Sequence, residues 1–318
     1  MRQIEPSDRH ASSQSQLSQP YNVLIDTDIG DDIDDAFALA VALHSPELIL
    51  RGVSTVFGDT QRRAQLARYL LHVFGHDDIP VSAGASTPLV PRRPHAQPSG
   101  VAQASILEKR NIDVASITLD VRSGAELIID MARAYYGQLT LICIGPLTNI
   151  ALALLIEPDL PTAIRNIVMM GGSSSIALPE WNIRNDVKAA EIVLTSGIPV
   201  TLIGMNITLR CSMRRRDIEE LSTCDTPETH LLTSLIDIWR QHRPRWHPPL
   251  PYLHDPLTVA ALCNPSLLRF RAVPVHVMTQ GLFKGFTVPH VMGGTVVNAA
   301  VDVRVREARE WIMKRLLM

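Results

Sequence analysis

Apolar positions along this chain come in short runs, and the runs alternate with stretches of helical periodicity. Tyr21-Asn22-Val23-Leu24-Ile25 predicts a buried strand, and Ala36 to Leu43, directly after Asp35, predicts a helix. Leu48 to Val56 is β-rich and stops at Phe57-Gly58-Asp59, after which Arg62 to Phe74 is helical in pattern. The rhythm then repeats. Helices are predicted over Ala125 to Tyr136, Ile150 to Ile156 and Val187 to Thr195. Strands are predicted over Leu139 to Ile144, Ile167 to Met170 and Val200 to Ile203. Apolar strands alternating with helices indicate an α/β fold, an open, mostly parallel sheet with helices on both faces. Residues 86–100, with Pro88, Pro91, Pro94 and Pro98, predict a loop.

The ends and one internal stretch break the pattern. Residues 1–20 are polar and lack the apolar core of a signal peptide, so a flexible tail is expected there, with one folded domain over 21–318. Residues 210–250 are less regular and end in Arg243-Pro244-Arg245-Trp246-His247-Pro248-Pro249. They are expected to be an insertion or a lid beside the site.

Composition narrows the function. Of 318 residues 46% are hydrophobic, which excludes a disordered chain, and a formal charge of −2 speaks against a nucleic-acid binder. No apolar run approaches the ~18–20 residues of a membrane span. Cys143, Cys211, Cys224 and Cys263 are far apart and form no C-x-x-C pair. Free thiols in a reducing compartment are expected, and with them a cytoplasmic location.

In parallel α/β sheets ligands bind beyond the carboxyl ends of the strands. Every strand predicted above from Tyr21 to Ile203 feeds polar groups toward that rim. The first is the most informative: residues 26–35 hold six aspartates, Asp26, Asp28, Asp31, Asp32, Asp34 and Asp35. Asp34 and Asp35 suit a helix N-terminus, but capping accounts for one or two of the six. The others repel one another unless a cation relieves them. An oxygen-only set favours Ca²⁺ or Mg²⁺. A strand followed by D-x-D also opens the Mg²⁺-dependent haloacid-dehalogenase phosphatases, although Gly30 stands where those place Thr or Val. A second constellation is His254-Asp255-Pro256, in which Asp255 reads as an N-cap with Pro256 at the first helical position.

Together these residues resemble the inosine–uridine nucleoside hydrolase family. The likeness rests on Asp26-Thr27-Asp28-x-Gly30, on Asp34-Asp35-Ala36, on Gly145-Pro146-Leu147-Thr148-Asn149-Ile150, on Met170-Gly171-Gly172, on Glu180-Trp181-Asn182 and on His254-Asp255-Pro256. These stand in the family's order over roughly residues 21–318. The resemblance implies a Ca²⁺ at the bottom of a ribose pocket, with Asp28, Asp35 and Asp255 as side-chain ligands and Thr148 contributing its backbone carbonyl. It implies Asp28 as general base on a calcium-activated water. It gives Asp34, Asp59, Glu180, Asn182 and Asn206 contacts to the sugar. His254 would lie near the nucleobase as the acid for the leaving group, where Trp181 or Trp246 could instead stack on the base. The implied reaction is hydrolysis of a ribonucleoside to free base and ribose, by a homo-oligomer, dimer or tetramer. Hydrolysis of another N-riboside such as nicotinamide riboside, the Mg²⁺ phosphatase and a catalytically silent calcium protein are the competing readings. Purine or pyrimidine preference is not legible in these motifs.

The chain departs from the family at four points, the first two against its pattern D-x-D-P-G-x-D-D. Ile29 replaces proline, and two extra residues precede the last aspartate pair, so Asp31-Asp32 competes with Asp34-Asp35 for that place. Asp59 stands where the family often has Asn, and Asn206 where it often has Asp.

Overall fold

The computed structural model describes residues 19–90, 101–244 and 248–318. Residues 1–18, most of the expected tail, lie outside them, as do 91–100 of the proline-rich loop and Trp246 and His247 of the expected lid.

Among the described residues ten strands join one sheet. They are β1 (Tyr21–Thr27), β2 (Leu48–Thr55), β3 (Val81–Ala83), β4 (Leu139–Cys143), β5 (Ile164–Met170), β6 (Leu178–Pro179), β7 (Val200–Ile203), β8 (Leu268–Val277), β9 (Phe286–Pro289) and β10 (Thr295–Val303). Their spatial order is β3-β2-β1-β4-β5-β7-β10-β8-β9-β6. From β3 to β10 every neighbouring pair is parallel, and the remaining three pairings are antiparallel. The expected open α/β sheet is therefore present, with an antiparallel wing on one side.

The apolar runs form central strands because both of their faces are covered. In β1, Val23 and Ile25 enter one apolar cluster and Leu24 the other; in β4, Ile142 enters the first and Leu141 and Cys143 the second. The period-two alternation of a strand places these neighbours on opposite faces. Helices Asp34–Leu43, Thr60–Val73, Pro227–His242, His254–Cys263 and Val305–Leu316 supply the first cluster. Helices Gly124–Ala134, Thr148–Ile156 and Val187–Leu194 supply the second.

Two expectations change. The stretch 210–250 is largely regular: it holds the helices Arg215–Thr223 and Pro227–His242, and the second buries Leu231, Leu232, Leu235, Ile236, Ile238 and Trp239. Thr226 caps that helix and Pro227 opens it, a start signal that the proline-rich segment downstream obscures. Asp255 is not an N-cap. The helix begins at His254 after Leu253, which places Asp255 inside the first turn. Its carboxyl lies among other carboxyls rather than on the helix's own N–H groups. The four cysteines are free, Cys143 and Cys211 buried, as expected. No helix among the described residues is long and apolar enough to cross a membrane.

Candidate active site

The chain leaves β1 toward β2 and β3 on one side, then returns to build β4, β5 and β7 on the other. The order thus reverses between β1 and β4, and such a reversal opens a crevice at the carboxyl ends of the two strands. Asp28 follows β1, and Gly145 follows β4 by two residues. The two ends approach so closely that a Cβ on Gly145 would lie 2.9 Å from the Asp28 backbone nitrogen and 3.2 Å from its carboxylate. Glycine at 145 is what permits that approach.

Asp34, Asp35 and Asp255 meet in this crevice. One oxygen from each lies within 4.8 Å of the others, and all three residues are buried. They come from the first turns of two helices that pack on each other, Asp34–Leu43 and His254–Cys263. Helix N-termini favour negative charge there. Thr27 donates its hydroxyl to Asp35 at 2.5 Å. The Asp34 and Asp255 carboxyls face each other across the two helix starts. Burial holds all three well above the ordinary carboxylate pKa, and repulsion from neighbouring aspartates adds to it.

Asp28 stands beside this group rather than within it. Burial pushes its pKa to about 7 against the pull of Arg63. Of the two competing pairs, Asp34-Asp35 is the one gathered with Asp255. Asp31 instead pairs with Arg63 at 2.7 Å, and Asp32 accepts from the Ile33 N–H at 2.8 Å.

The other expected residues each have contacts of their own. Glu180 caps the helix Trp181–Asn185: its carboxylate accepts from the N–H groups of Asn182 at 2.9 Å, Gly172 at 3.0 Å and Ile183 at 3.1 Å. Burial still raises its pKa. Asn182 donates to the carbonyls of Ile144 and Met170 at 3.1 and 3.2 Å, tying the ends of β4 and β5. Asn206 accepts from the Ser174 N–H at 3.0 Å. Thr148 is buried and donates its hydroxyl to Asp186 at 2.8 Å. Nδ1 of His254 lies 2.6 Å from the Thr208 hydroxyl, and its ring is 5.1 Å from that of Tyr252. Trp181 is half exposed and meets Phe57 edge-on at 6.1 Å. Asp59 is exposed and caps the helix Thr60–Val73 through the Arg62 N–H at 3.0 Å; no hydrogen bond or ion pair ties it to the cluster.

Four buried residues around the site, Asn149, Asp26, Arg63 and Gln103, have roles that went unread in the sequence. Asn149 donates to Asp26 at 2.7 Å and to the Thr55 carbonyl at 2.9 Å, and accepts from the Ala85 N–H at 2.8 Å. Gly84 and Gly124 press on it so tightly that a Cβ on either would come within 2.3 and 2.7 Å of its amide. Asp26 also accepts from Ser54 at 2.5 Å, keeps one oxygen unpartnered, and is pushed by burial to about 7. Arg63 and Gln103 hold the acidic loop from the side. A signal for Arg63 does exist: Thr60, Arg63, Ala64, Ala67, Leu70 and Leu71 form one helical stripe, and a charge on that stripe demands a buried partner.

A fold of this kind offers a crevice for a small ligand at its switch point, with buried carboxylates gathered beside it that could hold a cation. The sequence pattern of the family described as inosine-uridine preferring nucleoside hydrolase matches residues 23–311. The chain belongs to that family. It is similar to uridine nucleosidase 1 of Arabidopsis thaliana, 32% identical over 283 residues that cover 85% of this chain and 82% of the relative. It is similar to the pyrimidine-specific ribonucleoside hydrolase RihA of Photobacterium profundum, 34% identical over 290 residues and covering 89% of each. Among solved structures it resembles the plant nucleoside hydrolase PpNRh1 with a TM-score of 0.84 at 30% identity, over 94% of this chain and 99% of that one. Family membership replaces the phosphatase reading of the D-x-D motif.

Proposed function

We propose that this protein hydrolyses the N-glycosidic bond of ribonucleosides with Ca²⁺ as its cofactor, and that uridine is the first substrate to try. The observation that carries the metal reading is the Asp34–Asp35–Asp255 cluster: three buried carboxyls within 4.8 Å. Buried like charges this close repel one another, and a hard cation among them would relieve that repulsion. Asp35 and Asp255 would hold the ion from the two helix starts, Asp28 from the end of β1, and Thr148 by its backbone carbonyl. The donors are all oxygen, which fits Ca²⁺. The choice of uridine rests on what the Arabidopsis and Photobacterium relatives are named for.

Three requirements follow from the chemistry: an activated water, tolerance of positive charge on the ribosyl ring, and a departing base. The ion, when bound, lowers the pKa of a coordinated water. Asp28, at the end of β1 beside the cluster, would accept that proton. Asp34, Asp59, Glu180, Asn182 and Asn206 would orient the ribose hydroxyls. The buried carboxylates nearest the ring would stabilise an oxocarbenium-like transition state. His254 would protonate the base, its other ring nitrogen being held by Thr208. No covalent intermediate is needed, so inversion at C1′ is expected.

The test is a reducing-sugar assay on uridine, inosine, nicotinamide riboside and a phosphate ester, each with and without a chelator. Ribose released from uridine or inosine, abolished by chelation and restored by Ca²⁺, is the expected result. Release from nicotinamide riboside alone would transfer the activity to that substrate. Release that chelation leaves intact would remove the ion from the reaction.

A further inference from the structure

The loop between β1 and the first helix is neither strand nor helix over Asp28–Asp32, yet its backbone is not left to water. Arg63 Nη1 donates to the Asp28 carbonyl and, at 2.8 Å, to the Ile29 carbonyl. The Gln103 N–H donates to the Gly30 carbonyl at 2.9 Å. The Gln103 side chain donates to the carbonyls of Asp31 at 3.2 Å and Asp32 at 2.6 Å. Five consecutive carbonyls are thus taken by two buried residues from elsewhere in the chain. Arg63 is fully buried. It also donates through Nε to the Phe57 carbonyl at 2.6 Å and through Nη2 to Asp31 at 2.7 Å. Phe57 is in the left-handed region at φ 69, unusual for a bulky residue, and its N–H is fixed on the Ala85 carbonyl at 2.8 Å. Gly30, at φ +126, leaves no room for a side chain, since a Cβ would lie 2.3 Å from Val101.

We infer that Arg63 is a positioning residue for the cation site: its guanidinium fork sets the backbone of the longer acidic loop, so that Asp28 and Asp35 face the ion before the ion arrives. The inference rests on the cation reading above. A rigid, planar fork suits this task, because its donors reach several fixed acceptors at once and its charge cannot be titrated away. The extra carboxylate Asp31 gives it a counter-charge on the loop itself. Charge and geometry make opposite demands. A cation beside the site repels an incoming dication, whereas a fixed loop spares the ion the cost of ordering its ligands. Arg63 itself holds the carbonyls of Phe57, Asp28 and Ile29, and geometry prevails.

The experiment compares wild type, Arg63→Lys, Arg63→Met and Asp31→Asn, each stripped of metal, by calorimetric titration with CaCl₂ and by thermal melting without metal. Residues that orient ligands from behind typically control affinity by about 10–100-fold. Arg63→Lys, which keeps the charge and loses the fork, should weaken binding by about 10-fold, and Arg63→Met by about 100-fold. At saturating Ca²⁺ both should regain most of the wild-type kcat. Asp31→Asn leaves the carbonyl contacts in place and should change the dissociation constant by less than about 3-fold. Arg63 variants that melt earlier but bind Ca²⁺ as tightly as wild type would reduce Arg63 to a structural part and overturn the inference. So would an Asp31→Asn effect as large as that of Arg63→Lys, a comparison that survives if Arg63→Met does not fold. A wild-type protein that binds no divalent ion would remove the cation reading and this inference with it.

Discussion

Glu180 and the Asp34–Asp35–Asp255 cluster are equally buried acids on the same rim, and the fold treats them differently. Glu180 sits at a helix start and receives three backbone N–H groups within 3.1 Å from residues fixed by β5 and its own helix. Its charge is answered by peptide dipoles. Asp34, Asp35 and Asp255 also sit at helix starts, but neither helix start carries a side-chain cap, and these carboxyls face one another. Counting acidic residues would therefore not separate a carboxyl whose charge the fold answers from one whose charge it leaves unanswered. Counting the donors each one receives does so.

Removing carboxyls from each side tests that contrast most sharply. Asp28→Ala should cost several orders of magnitude in kcat, about 10²–10⁴ of it from the lost base, and should weaken Ca²⁺ binding in calorimetry. Asp255→Asn should abolish measurable Ca²⁺ binding. Glu180→Gln should leave Ca²⁺ affinity unchanged, and an affinity loss matching that of Asp255→Asn would erase the distinction.

Proton linkage comes next. Asp26 and Asp28 have folded pKa values of about 7 against an ordinary 3.8. Between those limits the folded, metal-free protein holds more protons than the unfolded chain. Its stability therefore falls as pH rises from about 4 through 7, by up to about 1.4 kcal/mol per pH unit for each proton involved. The penalty is absent below the lower value and complete above the higher one. Ca²⁺ competes with the same protons, so its affinity should rise over that window. Thermal melts of stripped and loaded protein at several pH values check both signs, and parallel pH profiles for the two forms would contradict the linkage.

Smaller effects sharpen the comparison. Gly30→Ala meets Val101 and forces a strained φ, which should cost about 3 kcal/mol in denaturant unfolding. Glu180→Gln should cost about 2 kcal/mol, because an amide cannot accept as many N–H groups. Asp59→Asn keeps an equally good cap and should change stability by less than about 0.5 kcal/mol. A large loss of activity in that variant would assign Asp59 to the sugar despite its capping role.

The parallel half of the sheet was legible because its strands are apolar on both faces, and a run such as Ile167 to Met170 has no other economical place. The antiparallel wing was not. β8 alternates buried and exposed positions and includes Arg269, Arg271 and Pro274, so no continuous run announces it. For the site, the crowding of aspartates in 26–35 was readable, and so was the partnership with Asp255 once the resemblance was drawn. Gln103 was not, since a lone polar residue in a helical segment usually faces water, and the helical stripe that marks Arg63 as buried does not name its partners.

Asn149 lies 123 residues from its partner Asp26 and bonds also to the ends of β2 and the segment after β3. Such a junction closes only after four distant stretches have met, and contacts of that range form slowly. During refolding, helical circular dichroism should therefore recover before catalytic turnover does. In amide exchange, the carboxyl-terminal ends of β1, β2 and β3 should open together rather than one by one.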